Sequence, residues 1–365
     1  MCDANFEQAS MTVTRLGIIG LSPGSSWGFT AHLPAIRSLP DARVSAVATT
    51  RAETARQAAE LSGAEAWFTD PASLAACPLV DAVVVTVKVP AHQAAVEAAL
   101  EAGKPVYCEW PLAPDAEQAA IWAGSAEAKG LTTAIGLQAH CSPAVVDLRR
   151  FIRQGSLGDI RSVSATASRR KGIGLATPAS YGYTYDAANR AGTREVLGGH
   201  LIGLIDHLVG VESLAALSQP PHPREVRDDR GQPLAVSALD SFVACGRLSG
   251  GGLLSLAWWD RDPVPGTRIT IHGTLGSAEL VTSAPTAGED VNPQITPLHG
   301  TITLNDSSQR RLAPDSGDLP LPARNLAAAY RLFLDDLRHG TRYSTTFADA
   351  ARLHQLLDNG VPWNP

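Results

Sequence analysis

Lysine is scarce in this 365-residue chain: Lys88, Lys104, Lys129 and Lys171 are the only lysines among 30 basic residues. Set against 36 acidic residues, the net charge is −6, which excludes the broad positive field that draws nucleic acid or anionic lipid. Neither nucleic acid nor membrane is expected as a direct partner. Cysteine is rare too. Cys2, Cys77, Cys108, Cys141 and Cys245 form no C-x-x-C pair and no metal-type spacing, so no metal site and no disulfide framework is expected. No apolar run approaches the roughly 20 residues of a membrane helix. Residues Met1 to Ser10 lack the basic and apolar regions of a signal peptide, and they read as a disordered tail, 1–10, on a cytoplasmic protein. Aromatics are 5% and charged residues 18%, while apolar residues reach 44%. That is ordinary globular composition, and the length exceeds the roughly 250–300 residues one core usually serves. Two domains are expected, at 11–138 and 139–365.

The first of these alternates strands and helices. Arg15 to Leu21 is an apolar run ending in a glycine turn, followed by a helix from Trp27 to Leu39. Val44 to Thr49, Asp81 to Val87, Pro105 to Cys108 and Thr132 to Leu137 read as further strands, with helices at Arg51 to Leu61, His92 to Ala102 and Asp115 to Lys129. This predicts an α/β fold, a Rossmann-type doubly wound parallel sheet. Beyond about residue 140 the pattern changes to a helix at Pro143 to Gln154, then alternating segments at 160–168, 241–248, 252–259, 268–271 and 278–281. A largely antiparallel sheet in an α+β domain is expected there. The stretches 171–194, 219–233 and 283–322 read as irregular, and the closing helices as 323–339 and 347–359. The last two have the option of packing back on the first domain.

Glycines at 17, 20, 24 and 28 follow the first strand. Backbone at such a turn can approach a pyrophosphate whose charge the next helix N-terminus complements. The second strand ends Ala48-Thr49-Thr50-Arg51, with no carboxylate before Glu53 to accept from a ribose 2′-hydroxyl. Two hydroxyls and a guanidinium suit a 2′-phosphate instead, so NADP is favoured over NAD.

Tyr107-Cys108-Glu109-Trp110-Pro111-Leu112-Ala113 ends the fourth long strand, and His200 opens an apolar helix. With the nucleotide-type first half, these segments resemble the Gfo/Idh/MocA oxidoreductases across nearly the whole chain. The match is nearer still to the branch typified by the fungal galactose-regulon repressor. Similar to that branch are the loop Gly20 to Trp27, the His32-Leu33-Pro34 helix, Tyr183-x-Tyr185-Asp186 and Ile271-His272-Gly273-Thr274. The resemblance implies a cofactor held by Gly20, Leu21, Ser22, Gly24, Ser26, Trp27, Thr50, Arg51, Thr86, Val87, His92, Glu109, Trp110 and Gln138. It also implies a homodimer or higher homo-oligomer. Where the family usually has Glu-Lys-Pro, this chain has Glu109-Trp110-Pro111, and Val196 and Gly203 stand where acids often flank the site histidine.

Hydride exchange with an alcohol needs a group that accepts the hydroxyl proton, and an indole N–H has no basic lone pair. Trp110 is left to stack on the nicotinamide or a sugar face. The remaining candidates are His200, Glu109, Tyr183, Tyr185 and, across the cleft, Lys171. Asp206 and His207 are adjacent on a helix and point apart, so they are not read as a dyad. Two functions stay open. One is an NAD(P)-dependent oxidoreductase, NADP favoured, acting on a sugar, polyol or other hydroxylated small molecule or its keto form. The other is a catalytically silent NAD(P)-binding sensor.

Overall fold

Short strands buried on both faces, spaced by alanine-rich helices, build the first half. The computed structural model describes residues 13–24, 26–172, 177–283, 290–313, 315 and 317–360; the expected tail at 1–10 lies outside them. Strand β1 (Thr14–Ile19) leads through a π-helical turn (Gly28–His32) into α1 (Leu33–Arg37), so the expected single helix from Trp27 is wound wider at its start. There follow β2 (Ala42–Ala48), α2 (Ala52–Ser62), β3 (Ala66–Phe68), α3 (Pro71–Ala75), β4 (Ala82–Val85), α4 (His92–Glu101), β5 (Val106–Glu109), α5 (Ala116–Ala128) and β6 (Thr133–Gly136). The six strands form one parallel sheet in the order β3-β2-β1-β4-β5-β6. Every residue of β4 is buried, as a strand covered on both faces requires. Local signals end the helices: Asp115 Oδ1 accepts from Gln118 N at 2.9 Å, and Gly63 takes φ 80 after α2.

The second half is built on α6 (Pro143–Arg153), β7 (Ile160–Ser168), α7 (Gly199–Val209) and β8 (Val211–Ser218). A small hairpin, β9 (Glu225–Arg227) with β10 (Pro233–Ala235), precedes β11 (Ser241–Leu248), β12 (Leu253–Trp259), β13 (Thr267–Gly273), β14 (Gly276–Thr282), β15 (Leu298–Leu304) and β16 (Gln309–Arg311). Eight strands join as β16-β15-β14-β13-β7-β12-β11-β8, antiparallel except for β7 against β12. Strands β8, β15 and β16 fall in segments that the sequence reading left unassigned or irregular; part of the 283–322 stretch lies outside the described residues. Alternation holds across the sheet: Trp258 is 1% exposed and faces the core, while Trp259 is 38% exposed and faces out.

Helix α8 (Leu321–His339) returns to the parallel sheet and α9 (Phe347–Gly360) lies along α5. Tyr330 of α8 stacks on Tyr107 of β5 at 4.9 Å, in a cluster with Leu16, Ile18, Leu326 and Phe333. A second apolar cluster runs from α4 and α5 through α7 to the inner face of the eight-stranded sheet.

Past the end of α8, the buried carboxylate of Asp336 accepts from Thr341 Oγ1 at 2.7 Å and from Tyr343 N and Ser344 N at 2.8 Å each. Burial pulls its pKa upward, yet the donors, Tyr343 N foremost, win and hold it below the usual carboxylate range. Its stabilisation is therefore complete above the unfolded value near ~4 and is lost as pH falls through the folded value. Asp336→Ala is expected to lower stability by about 1–3 kcal/mol at neutral pH, read as a shifted urea midpoint. The gap between variant and parent should shrink on acidification to about pH 2; an unchanged gap would show that the carboxylate charge is not what holds this turn.

Candidate functional site

At the carboxyl ends of β1 and β4 the backbone is drawn tight. Gly20 takes φ +105, and a Cβ there would stand 2.8 Å from Thr86 Oγ1 and 2.9 Å from Val87 N. A Cβ on Gly28 would meet the same Thr86 hydroxyl at 2.7 Å, so only glycine lets the helix start come this close to β4. Thr86 Oγ1 itself donates to Ile19 O at 3.1 Å. Gly24, φ +99, has open space around it, while Ser26 Oγ donates to Ser22 O and accepts from Phe29 N. Leu21 is fully buried. Beside it the Trp27 indole N–H is buried without an acceptor. Glycines and the unpartnered Trp27 N–H thus line a cradle whose donor chemistry fits a pyrophosphate. At the end of β2 the side chains of Thr50 and Arg51 are exposed and make no hydrogen bond or ion pair among the described residues, while Thr49 Oγ1 is tied to Thr54. His92 is placed differently: its two ring nitrogens lie 3.0 Å from Leu112 O and 3.0 Å from Val87 O, so the ring braces the loops around the crevice.

Glu109, at the end of β5, is 9% exposed. Gln138 Nε2 donates to both its oxygens at 3.2 and 3.0 Å, and His32 Nε2 stands 3.2 Å away, at ion-pair distance but off the line of a good hydrogen bond. A side chain on Gly136 would fall 2.3 Å from the carboxylate, so β6 needs glycine there. His32 Nδ1 lies 2.6 Å from Tyr330 Oη of α8. The Glu109 carboxylate is thereby held inside the fold.

Trp110 closes the floor between the two sheets. Its N–H donates to Glu195 O at 2.9 Å, its ring lies 4.5 Å from that of His354, and its bond to Pro111 is cis. In this structure Trp110 packs on His354, and its N–H is held by the second half. Gly199 lies against the indole, and a Cβ there would stand 2.4 Å from its nitrogen. The next residue is His200, 2% exposed, with Nδ1 buried and unpartnered. Burial, with a smaller push from His140, takes its imidazole down to about 3, so it is neutral at physiological pH. Asp206 pairs with Arg352, and His207 stacks on His140 at 4.1 Å, so the adjacent pair does point apart.

The loop after β7 crosses the cleft. Lys88, just past β4, donates to Ser180 O at 2.9 Å and lies over the Tyr183 ring at 4.3 Å, which fixes Tyr183 above the parallel-sheet ends. Tyr185 turns the other way: it is buried, and its hydroxyl lies 2.7 Å from Thr177 Oγ1. Above its ring, at 4.2 Å, sits the Lys171 amine, 3.3 Å from Thr184 O. Burial, reinforced by Arg169, pushes this amine down to about 7 against the pull of Asp260, Asp240 and Glu195. Arg169, Asp260 and Thr193 form a closed set of bonds of 2.7–2.9 Å behind it. Glu195, whose carbonyl takes the Trp110 indole, is one of those acids, so Lys171 belongs to the same wall as Trp110. Sequence reasoning did not single out His32, Lys88, Glu195, Tyr330 or His354. Their partners lie tens to hundreds of residues away, and no local pattern marks them. Among the described residues no group of His, Cys, Asp and Glu is arranged to hold a metal.

Residues 14–137 match the Gfo/Idh/MocA oxidoreductase family in its NAD-binding Rossmann fold, and residues 145–279 match the Gfo/Idh/MocA C-terminal domain. The dehydrogenase aclE of Aspergillus oryzae is 33% identical over 54% of this chain and 55% of its own length. The galactose/lactose metabolism regulatory protein of Saccharomyces cerevisiae is 28% identical over 73% of this chain and 66% of its own. The chain thus spans between about half and two thirds of these relatives' length. In fold it is similar to levoglucosan dehydrogenase, solved with NADH and levoglucosan, with a TM-score of 0.79, 20% identity and 96% of each chain covered.

Four lysines make the Lys171 amine directly observable. After reductive methylation with carbon-13 formaldehyde, one dimethyl-lysine signal is expected to titrate near 7 and to vanish in Lys171→Arg. A spectrum with no signal titrating near 7 would remove the perturbed amine.

Proposed function

The chain belongs to the Gfo/Idh/MocA oxidoreductase family, and on that premise we propose that it is an NADP-preferring dehydrogenase acting on a hydroxyl or keto group of a sugar, polyol or related small molecule. The observation that carries this reading is the glycine cradle closed against Thr86, with the orphaned Trp27 N–H beside it. When bound, the nicotinamide would supply or take up hydride. Gly20, Ser22, Gly24 and Ser26 would hold the pyrophosphate through backbone and hydroxyl, and the unengaged Thr50 and Arg51 would take the 2′-phosphate. Thr86 and Val87 would pack the middle of the cofactor. Glu109 and Gln138 would act by keeping the strand ends in place.

Proton handling falls to the second half. Lys171 Nζ, near half-protonated at neutral pH, would accept or return the hydroxyl proton, and the Tyr183 hydroxyl would orient the substrate oxygen. His200, neutral and with a free Nδ1, would form a hydrogen bond to the substrate rather than carry charge. A sensor without turnover is the second reading, and the buried, fully engaged Trp110 at the position of the family's lysine favours it. We further propose a cytoplasmic protein assembled through the outer face of the eight-stranded sheet, where Leu217, Val243, Leu253 and Trp259 are exposed. No helix among the described residues is long and apolar enough to cross a membrane.

Fluorescence titration is expected to show NADPH binding at least about tenfold tighter than NADH, with Arg51→Ala abolishing the preference. With a panel of sugars, polyols and keto-sugars, reduced-nicotinamide absorbance should report turnover that Lys171→Met lowers by about 10²–10⁴ at unchanged NADPH affinity. Tight NADPH binding with no turnover on any compound selects the sensor, and failure to bind either nucleotide overturns both readings. Trp110→Lys separates the two further: a dehydrogenase scaffold should gain or raise activity, whereas a sensor should remain inert.

A further inference from the structure

A cavity of about 530 Å³ opens at the β6 edge of the parallel sheet, between α6, α8 and the 343–345 segment. None of the residues assigned above to cofactor or substrate lines it. Its volume lies in the range of small-molecule sites, roughly 300–1,000 Å³. Ile135, Ala329 and Leu332 supply apolar wall, and α6 presents Arg149, Arg150 and Arg153.

These cations are poorly compensated. Arg150 pairs with Asp147, which also takes Arg310 and Ala313 N, and the nearby Asp349 is occupied by Thr346. Arg149 donates from Nε to His207 O, and Arg153 has no partner among the described residues. Arg149 and Arg153 are four apart on one helix, a like-charge spacing that is unfavourable unless an anion sits between them. The protonated form of Arg149 is disfavoured first by burial and then by Arg153. A second, independent feature lies in the same cavity. The hydroxyl of Tyr107, 1% exposed, is buried and unpartnered, although it can donate and accept. A buried hydroxyl of this kind calls for a partner that the protein does not itself supply, and the Ser344 hydroxyl lines the same cavity beside Asp336.

We propose that this cavity is a binding site for a small organic anion, its carboxylate or phosphate head between Arg149 and Arg153 and its apolar body along Ile135, Ala329 and Leu332 within reach of the Tyr107 and Ser344 hydroxyls. The site is separate from the nucleotide crevice and stands whether or not the protein turns over a substrate.

The test uses the full chain with its nucleotide crevice saturated by non-fluorescent NADP, titrated with anilinonaphthalene sulfonate. One saturable site is expected, weakened at least about tenfold in the Arg149→Ala/Arg153→Ala double variant and unchanged when the exposed Arg161 of β7 is replaced, Arg161→Ala. Phenylbutyrate and phenylbutyl phosphate should displace the probe, their ratio distinguishing a carboxylate from a phosphate site, and phenylbutanol should not. Tyr107→Phe is informative because it deletes a hydroxyl that bonds to nothing in the free protein. Its melting temperature should be unchanged or raised, with probe binding weakened several-fold. Probe binding indifferent to the double variant, equal displacement by the neutral alcohol, or a Tyr107→Phe protein that is destabilised with probe affinity intact would each overturn the proposal.

Discussion

A carboxylate placed inside a protein has to be met by polar partners, and Glu109 is met by residues from distant parts of the chain. Gln138 reaches it from the turn after β6, and His32 from the helix that follows the glycine loop. His32 is in turn set by Tyr330, 298 residues further on. One carboxyl group thus relates the sheet, the first helix and α8, and its closeness explains why β6 carries glycine at 136. The glycine loop is held in register by the same contacts, since the helix that anchors His32 begins at the loop's end.

The cleft above this group is joined twice. Trp110 ties the floor of the parallel sheet to Glu195 and His354, and Lys88 ties its rim to Ser180 and Tyr183. With Trp110 committed to packing, an amine for proton transfer has to come from elsewhere. Lys171 is the cation that burial brings near neutrality on that wall. The tension between catalysis and sensing in this chain is therefore the question of whether an amine carried on the second half does the work usually given to the strand end.

The alternating βα pattern was legible because β4, β5 and β6 are short and buried throughout, and because Gly63, Gly103 and Gly130 stop their helices in the left-handed region. The cradle was legible for the same reason: Gly20, Gly24 and Gly28 are local. Strands β8, β15 and β16 were not, since their identity comes from pairing with β11, β14 and each other rather than from their own composition. Likewise Tyr183 and Tyr185 are two residues apart and read alike in sequence, yet Lys88 draws one over the crevice while Thr177 draws the other inward. Glu109 could be identified as important at its strand end, but that both its oxygens accept from Gln138, with His32 3.2 Å away, is a fact about the fold alone.

Helix α8 also sets a schedule for synthesis. The apolar face of the parallel sheet, with Leu16, Ile18 and Tyr107, is covered by Leu326, Tyr330 and Phe333. During translation at roughly 5–20 residues per second, the interval between completing β6 and completing α8 is about 10–40 s, and for that time the nascent sheet has an uncovered side. The parallel sheet therefore completes the core on this face only after α8 has been made.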